Sequence, residues 1–187
     1  GVTTYGYDER GNQSTVTDAL GYSWNYAYDK VDRMTTVTDP EEKVTGILYD
    51  QVGNVVSIKR PGERTTAYAY DGNYNTTAVT DPKGYVYNYG YDKDDRLTLT
   101  TDPLEQTTGY TYDAVNRITA YRDKMGLTES YLYDAHGNVL EKTATDGRVT
   151  EYTYDIRNRL TSVTDPMGSV AYYTYDVMDR VTGGADY

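Results

Sequence analysis

Apolar and polar positions alternate along this chain in short bursts. In Tyr85-Val86-Tyr87-Asn88-Tyr89-Gly90-Tyr91 an aromatic residue occupies every second position. Tyr22-Ser23-Trp24-Asn25-Tyr26-Ala27-Tyr28 repeats the pattern with the only tryptophan. A period of two predicts strands that carry their aromatics on one face. The bursts end in Tyr-x-Tyr-Asp in eight of nine copies, the exception being Ile47-Leu48-Tyr49-Asp50. A second burst follows each, as in Leu160-Thr161-Ser162-Val163-Thr164 or Met34-Thr35-Thr36-Val37-Thr38, and its Thr and Val content predicts a second strand. The two commonest apolar positions of that strand lie three residues apart and so have opposite parity. Either a β-bulge or partial burial of both faces accounts for this.

The bursts are strictly periodic. Tyr-Asp occurs at Tyr7-Asp8, Tyr28-Asp29, Tyr49-Asp50, Tyr70-Asp71, Tyr91-Asp92, Tyr112-Asp113, Tyr133-Asp134, Tyr154-Asp155 and Tyr175-Asp176, each pair 21 residues from the next. A fixed period of this length marks a tandem repeat whose units are completed by their neighbours. Within each unit, turn residues separate the strands. Gly11-Asn12, Asp32-Arg33, Gly53-Asn54, Asp95-Arg96 and Asn158-Arg159 close the link after Tyr-Asp, where Gly, Asn and Asp tolerate positive φ. All five prolines, Pro40, Pro61, Pro82, Pro103 and Pro166, share one position in the repeat, and four of them follow Thr-Asp. Proline presets φ for a turn and cannot donate to a ladder.

The fold expected is all-β: tandem 21-residue β-hairpin repeats forming one long curled antiparallel sheet, an arc or turn of a hollow spiral shell. Two strands per repeat advance the sheet by roughly 9.5 Å. About eighteen strands exceed what an open twisted sheet holds without curling. Residues 1–187 read as a single array of about nine repeats, and the absence of an atypical capping sequence suggests a piece of a longer array.

Composition adds one constraint. Leu, Ile, Val and Phe together number 30 of 187 residues, and the net charge is -11. Such values usually indicate disorder. Here 24 tyrosines at fixed spacing supply the missing apolar area. A sheet built on Tyr is expected to be thin, because each ring carries a hydroxyl that wants a partner. The acidic balance argues against nucleic acid as a partner. No cysteine is present to form disulfides or thiolate metal sites, and no apolar run approaches membrane-spanning length.

Candidate chemistry is sparse. The row of Asp residues after Tyr invites a calcium reading, but equivalent positions roughly 9.5 Å apart cannot share an ion whose ligands must come within about 2.6 Å. Turn formation is the better account of those residues. His136 is the only histidine and sits in the turn Asp134-Ala135-His136-Gly137-Asn138, without a partner for a nucleophilic dyad or a zinc site. Carboxylate pairs recur in many repeats rather than at one unusual place, so no enzyme, catalytic residue, metal or cofactor is expected. Trp24, Tyr85 and Tyr87 are candidates for stacking on sugar rings. Because the aromatic rows recur in every repeat, packing along the sheet is the better account of them. Terminal strands with unpaired edges also allow edge-to-edge self-association.

The consensus is Asp, two variable residues, Gly or Asp, Asn or Arg, then Leu-Thr-x-Val-Thr-Asp-Pro-x-Gly and Thr-x-x-Tyr-x-Tyr-Asp. It closely resembles the RHS/YD-repeat family, and the segment from Tyr154 to Gly168 follows the family pattern throughout. The resemblance covers the whole chain. It implies a β-hairpin sheet that spirals into a hollow shell, as in bacterial Rhs and wall-associated proteins, insecticidal toxin-complex components and, more distantly, teneurins. By the same resemblance the chain is expected to be a structural shell segment of a large exported or cell-surface protein of bacterial origin. It would help to encapsulate or present a C-terminal toxin or effector, with the rest of the parent shell as its main partner. The alternative is a carbohydrate-binding adhesin, or a self-assembling surface β-structure, that uses the Tyr-rich face. The Asp-Pro-x-Gly stretches at Asp81 and Asp165 are ordinary repeat turns and carry no expectation of autoproteolysis.

Overall fold

A computed structural model describes residues 1–186, all as strands and the turns between them, with no helix among the described residues. The chain divides into two compact units, residues 1–89 and 90–187. The first carries β1 (Thr4–Tyr7), β2 (Gln13–Thr17), β3 (Ser23–Tyr28), β4 (Met34–Thr38), β5 (Val44–Tyr49), β6 (Val55–Arg60), β7 (Arg64–Tyr70) and β8 (Thr76–Thr80). It also holds the first part of β9 (Val86–Tyr91). The second carries β10 (Leu97–Thr101), β11 (Thr107–Tyr112), β12 (Ile118–Arg122), β13 (Thr128–Tyr133) and β14 (Val139–Thr143). It continues through β15 (Val149–Tyr154), β16 (Leu160–Thr164), β17 (Val170–Tyr175) and β18 (Val181–Asp186). Two strands per repeat, eighteen among the described residues, match the expected fold class.

Within each unit every strand pairs antiparallel with the next in sequence. In the first unit the meander runs from β1 to β9. In the second it runs from β10 to β18. One backbone design recurs in the connections. Asp8 N–H donates to the Asn12 carbonyl while Gly11 N–H donates to the Asp8 carbonyl, and the same pair of bonds appears at Asp18, Asp29, Asp39 and onward. This is a three-residue hairpin loop, a type I turn followed by a residue with positive φ. Gly fills that place at Gly11 (88°), Gly21 (88°) and Gly84 (86°), whereas Asp32 (63°), Glu105 (60°) and Asn158 (60°) hold it without glycine's freedom. The Arg60-Pro61-Gly62-Glu63-Arg64 turn differs, with positive φ at both Gly62 and Glu63 and Arg60 registered opposite Arg64.

The parity problem in the second strand resolves as a bulge. Tyr152 pairs with Val163 and Thr153 with Ser162, but Tyr154 pairs with Leu160, leaving Thr161 as an extra residue. Leu160 and Val163 therefore share the tyrosine face although three residues separate them. The same slip occurs at Tyr7, Tyr28, Tyr49, Tyr70, Tyr112, Tyr133 and Tyr175. The bulge accounts for the odd residue in a repeat of 21.

No hydrophobic side chain is buried among the described residues; only Thr66 and Ser162 reach that state. Each unit is one layer of sheet. Its tyrosine face is half-buried by neighbouring side chains, and its other face is lined by small or polar residues such as Ala27, Thr36, Gly46, Ser57 and Ala67. Stability must come from laterally packed cross-strand pairs, worth about 0.2–1 kcal/mol each, and from side-chain bonds at the turns.

Candidate functional site

Those side-chain bonds concentrate at the Tyr-Asp turns. Asp29 shows the local design: its Oδ1 accepts the backbone N–H of Val31 at 2.9 Å and of Arg33 at 3.0 Å. Its Oδ2 accepts the Arg33 guanidinium at 2.7 Å. A carboxylate suits this place because one group satisfies two loop amides and still holds a third donor. The residue four places after the Asp is Arg or Asn in every repeat, namely Asn12, Arg33, Asn54, Asn75, Arg96, Arg117, Asn138, Arg159 and Arg180. Asn uses its amide in the same way, as Asn54 does on Asp50 at 2.8 Å.

Where the residue is Arg, the guanidinium can also lock onto the following repeat. Arg33 donates to the Asp50 carbonyl at 3.1 Å and lies over the Tyr49 ring at 4.7 Å. Tyr49 in turn donates its hydroxyl to the Met34 carbonyl at 2.8 Å. One arginine and one tyrosine thereby close a ring of contacts between two hairpins. Arg117 builds the same interlock with the Asp134 carbonyl and the Tyr133 ring, and Tyr133 donates to the Ile118 carbonyl. Arg96 and Arg159 repeat it on Tyr112 and Tyr175. Each guanidinium–ring contact is worth about 0.5–2 kcal/mol at such half-buried sites. The tyrosine hydroxyl contributes without an arginine too: Tyr28 donates to the Gln13 carbonyl and Tyr70 to the Val55 carbonyl, both at 2.8 Å. Each acceptor carbonyl lies beside the bulge, where the ladder is interrupted.

Asn builds a shorter version. Asn12 reaches Asp32 Oδ1 at 2.7 Å, and Asn138 reaches Asn158 Oδ1 at 3.0 Å. These acceptors are the positive-φ residues of the next Tyr-Asp turn, so that place serves the backbone and the neighbouring repeat together.

The electrostatics follow the geometry. All nine Tyr-Asp carboxylates are held below the ordinary aspartate range. At Asp92 and Asp155 the arginine hydrogen bond is the leading cause. At Asp113 it is the Arg117 backbone amide. At Asp29 partial desolvation is the largest single influence and pushes upward, but the Arg33 amide, the Arg33 guanidinium and the Val31 amide together outweigh it.

The turns at the other end of the strands share the backbone but not this bracing. Asp39, Asp81, Asp102 and Asp165 accept two loop amides each, and Pro40, Pro82, Pro103 and Pro166 follow them. Here Lys124 reaches back to Asp102 at 2.5 Å, while Lys43 and Arg148 pair with Glu41 and Asp146 of their own turns. Arg60 and Ala144 replace the Asp in two copies.

The sugar-stacking candidates lie apart. Trp24 is on β3 opposite Val16, and with Tyr22, Pro40, Asp39, Glu41 and Lys43 it lines a shallow depression. Tyr87 occupies the equivalent register opposite Val79 on β9, well along the first unit, with Tyr85 exposed just before it. His136 is exposed in its turn, 4.0 Å from Asp134. Among the described residues, no three His, Cys, Asp or Glu side chains converge as a metal site would require. The Arg and Asn bracing was the feature that sequence reasoning missed. Its signal was present: the fourth residue after Asp never departs from those two types, a restriction that a solvent-facing turn would not impose.

Comparison with known proteins agrees with this construction. The sequence profile of the family described as RHS Repeat matches residues 7–44, 49–86, 91–126, 133–170 and 157–186. No curated protein matches significantly. Among solved structures the fold is similar to the crystal structure of TcdB2-TccC3-Cdc42, with TM-score 0.54 and 15% identity over 97% of this chain. It is also similar to that of TcdB2-TccC3, with TM-score 0.52 and 15% identity over 97% of this chain. In both cases the chain spans 13% of the larger protein's length. With interlocked Tyr-Asp hairpins recurring along it and profile matches across most of its length, the chain belongs to the RHS repeat family.

Proposed function

We propose that this chain is a structural wall segment of a larger exported or cell-surface shell, bacterial in origin, that encloses or presents a C-terminal toxin or effector. The observation that carries the reading is the interlock itself. Repeat after repeat spends its charged and aromatic side chains on holding its neighbour, and neither face carries a converging set of unlike reactive groups. The likeness in fold to much longer chains supports a segment that works as part of a continuous array. The rest of that array is its principal partner, and catalysis is not its task.

Limited proteolysis of the parent chain tests this reading. The segment downstream of the array should be protected in the intact protein and cleaved when two repeats, residues 91–132, are deleted. Equal cleavage in both would overturn enclosure. Negative-stain imaging of the parent should show a hollow particle.

A second reading rests on the Trp24 depression. An indole and the Tyr22 ring bordered by Asp39, Glu41 and Lys43 offer a stacking platform with hydroxyl partners, as an adhesin for glycans would need. Tryptophan fluorescence titrated with cellotetraose and chitotetraose tests it. Saturable quenching of the wild type, together with loss of binding by calorimetry in Trp24→Thr, supports this reading; threonine is the residue found at the equivalent Thr45, Thr66, Thr108 and Thr150. No saturable change overturns it. Edge-to-edge self-association is tested by sedimentation at several concentrations, where a monomer throughout would count against it.

A further inference from the structure

Repeated residues are explained by the packing that every repeat needs, so residues that depart from their repeat position point to something additional. Position 121 departs. The equivalent residues are Val16, Val37, Ile58, Val79, Thr100, Lys142, Val163 and Gly184. Tyrosines at the partner position therefore meet smaller or aliphatic neighbours in most repeats, as Tyr26 meets Val37 and Tyr152 meets Val163, and a lysine where Tyr131 meets Lys142. Only at this register among the described strand pairs does Tyr face Tyr: Tyr110 on β11 lies directly opposite Tyr121 on β12. Their ring centroids are 5.4 Å apart, with planes inclined at 42°. Both residues are half-buried. That spacing is ring contact.

We propose that Tyr110 and Tyr121 form an oxidative modification site at which a dityrosine crosslink joins β11 to β12. A peroxidase-type oxidant using hydrogen peroxide removes one electron and one proton from each phenol. The two phenoxyl radicals couple through a ring carbon ortho to each oxygen, forming one carbon–carbon bond. Each coupled carbon then loses its hydrogen as a proton while the phenolic oxygen gains one, and both rings regain aromaticity. The net change is loss of two hydrogens from the protein and reduction of one hydrogen peroxide to two waters.

Three features favour coupling here. The partner ring is already fixed by the antiparallel register, so no encounter between molecules is needed. Rotation about the side-chain torsions brings ring carbon to ring carbon, because the backbones are already neighbours in the sheet. The chain has no cysteine whose thiol would quench a tyrosyl radical. The ring pair Tyr131 and Tyr133 is less suited. Its centroids are 6.5 Å apart, and its hydroxyls are engaged by Glu129 and the Ile118 carbonyl. In a protein without disulfides, such a crosslink would fasten two strands that share no buried core.

The full chain, dilute enough to suppress encounters between molecules, is treated with horseradish peroxidase and limiting hydrogen peroxide. Peptide mapping by mass spectrometry should find the Tyr110 and Tyr121 peptides joined with two hydrogens lost, together with dityrosine fluorescence. Tyr121→Val, which restores the residue typical of this position, should lose the linked peptide and most of the fluorescence. Circular dichroism confirms that the variant remains folded, and Tyr110→Ile, which copies the residue at Ile47, provides a second variant if it does not. Absence of the linked peptide would overturn the proposal. So would undiminished fluorescence in both variants, or crosslinks confined to exposed tyrosines such as Tyr5 and Tyr74 of different molecules.

Discussion

The two ends of the strands are built from the same loop and do different work. At one end Asp113 accepts the amides of Val115 and Arg117, and at the other Asp123 accepts those of Met125 and Leu127. The backbone bonds across the two loops are equivalent. They differ at the fourth residue after Asp. Arg117 grips both its own Asp113 and the next repeat's Asp134 carbonyl, whereas the aliphatic side chain of Leu127 has no donor to offer. Loop geometry alone therefore closes a hairpin, and a polar side chain of the right reach is needed to join one hairpin to the next. This explains why Asp is present in all nine Tyr-Asp turns but is replaced by Arg60 and Ala144 at the opposite end. Cross-repeat links at that end are occasional, as from Lys124 to Asp102, and a turn that serves mainly itself can be made in several ways.

The largest effect expected from breaking this arrangement is a change of register. Deleting Ala171 shifts Tyr173 and Tyr175 to the opposite face relative to β16 and should unfold at least that repeat. Deleting Thr161 removes only the bulge, leaves Leu160 and Val163 on one face, and should cost much less. Thermal melts of the two deletions check the order, and equal losses would contradict the bulge assignment. Next in size is the aromatic half of the interlock. Tyr112→Ala should destabilise by about 2–3 kcal/mol, through lost ring burial and the lost bond to the Leu97 carbonyl. Tyr112→Phe, which removes the bond alone, should cost about 1 kcal/mol in urea titration.

Charge separates the two ends more finely. Asp113→Asn keeps an oxygen for the loop amides but presents an N–H₂ group to the Arg117 guanidinium, so the urea midpoint should fall. Asp123→Asn should leave it almost unchanged. The lowered carboxylate values also set a pH dependence. Their ionised forms stabilise the fold above the unfolded-state value of about 3.9, and this contribution is lost as pH falls through the lower folded values. Wild type should therefore weaken below about pH 4, and Asp113→Asn should show a shallower acid slope. The smallest effect concerns the positive-φ residues. Glu105→Gly should stabilise by up to about 1 kcal/mol by relieving left-handed strain. Asn158→Gly should gain less, because it also removes the oxygen that Asn138 reaches. A larger gain at Asn158 would count against the cross-repeat bond.

Much of this architecture was legible in the sequence. The period of 21 required a repeat, alternating tyrosines required strands, and Gly, Asn, Asp and Pro at fixed offsets required turns. All of these are local consequences of backbone sterics and side-chain alternation, which neighbouring residues reveal by themselves. The parity of Leu160 and Val163 showed that a bulge or two-faced burial was needed, but not which. A bulge is a relation between two strands, and the choice appears only when Tyr154 is seen opposite Leu160. The interlock was harder to read for the same reason. Arg33 and Asp50 lie 17 residues apart, and the meander brings them to 3.1 Å. The kind of element, its period and the end at which each turn falls are thus written locally along the chain. Which carbonyl each arginine and tyrosine holds is settled in three dimensions, because those partners belong to the adjacent hairpin.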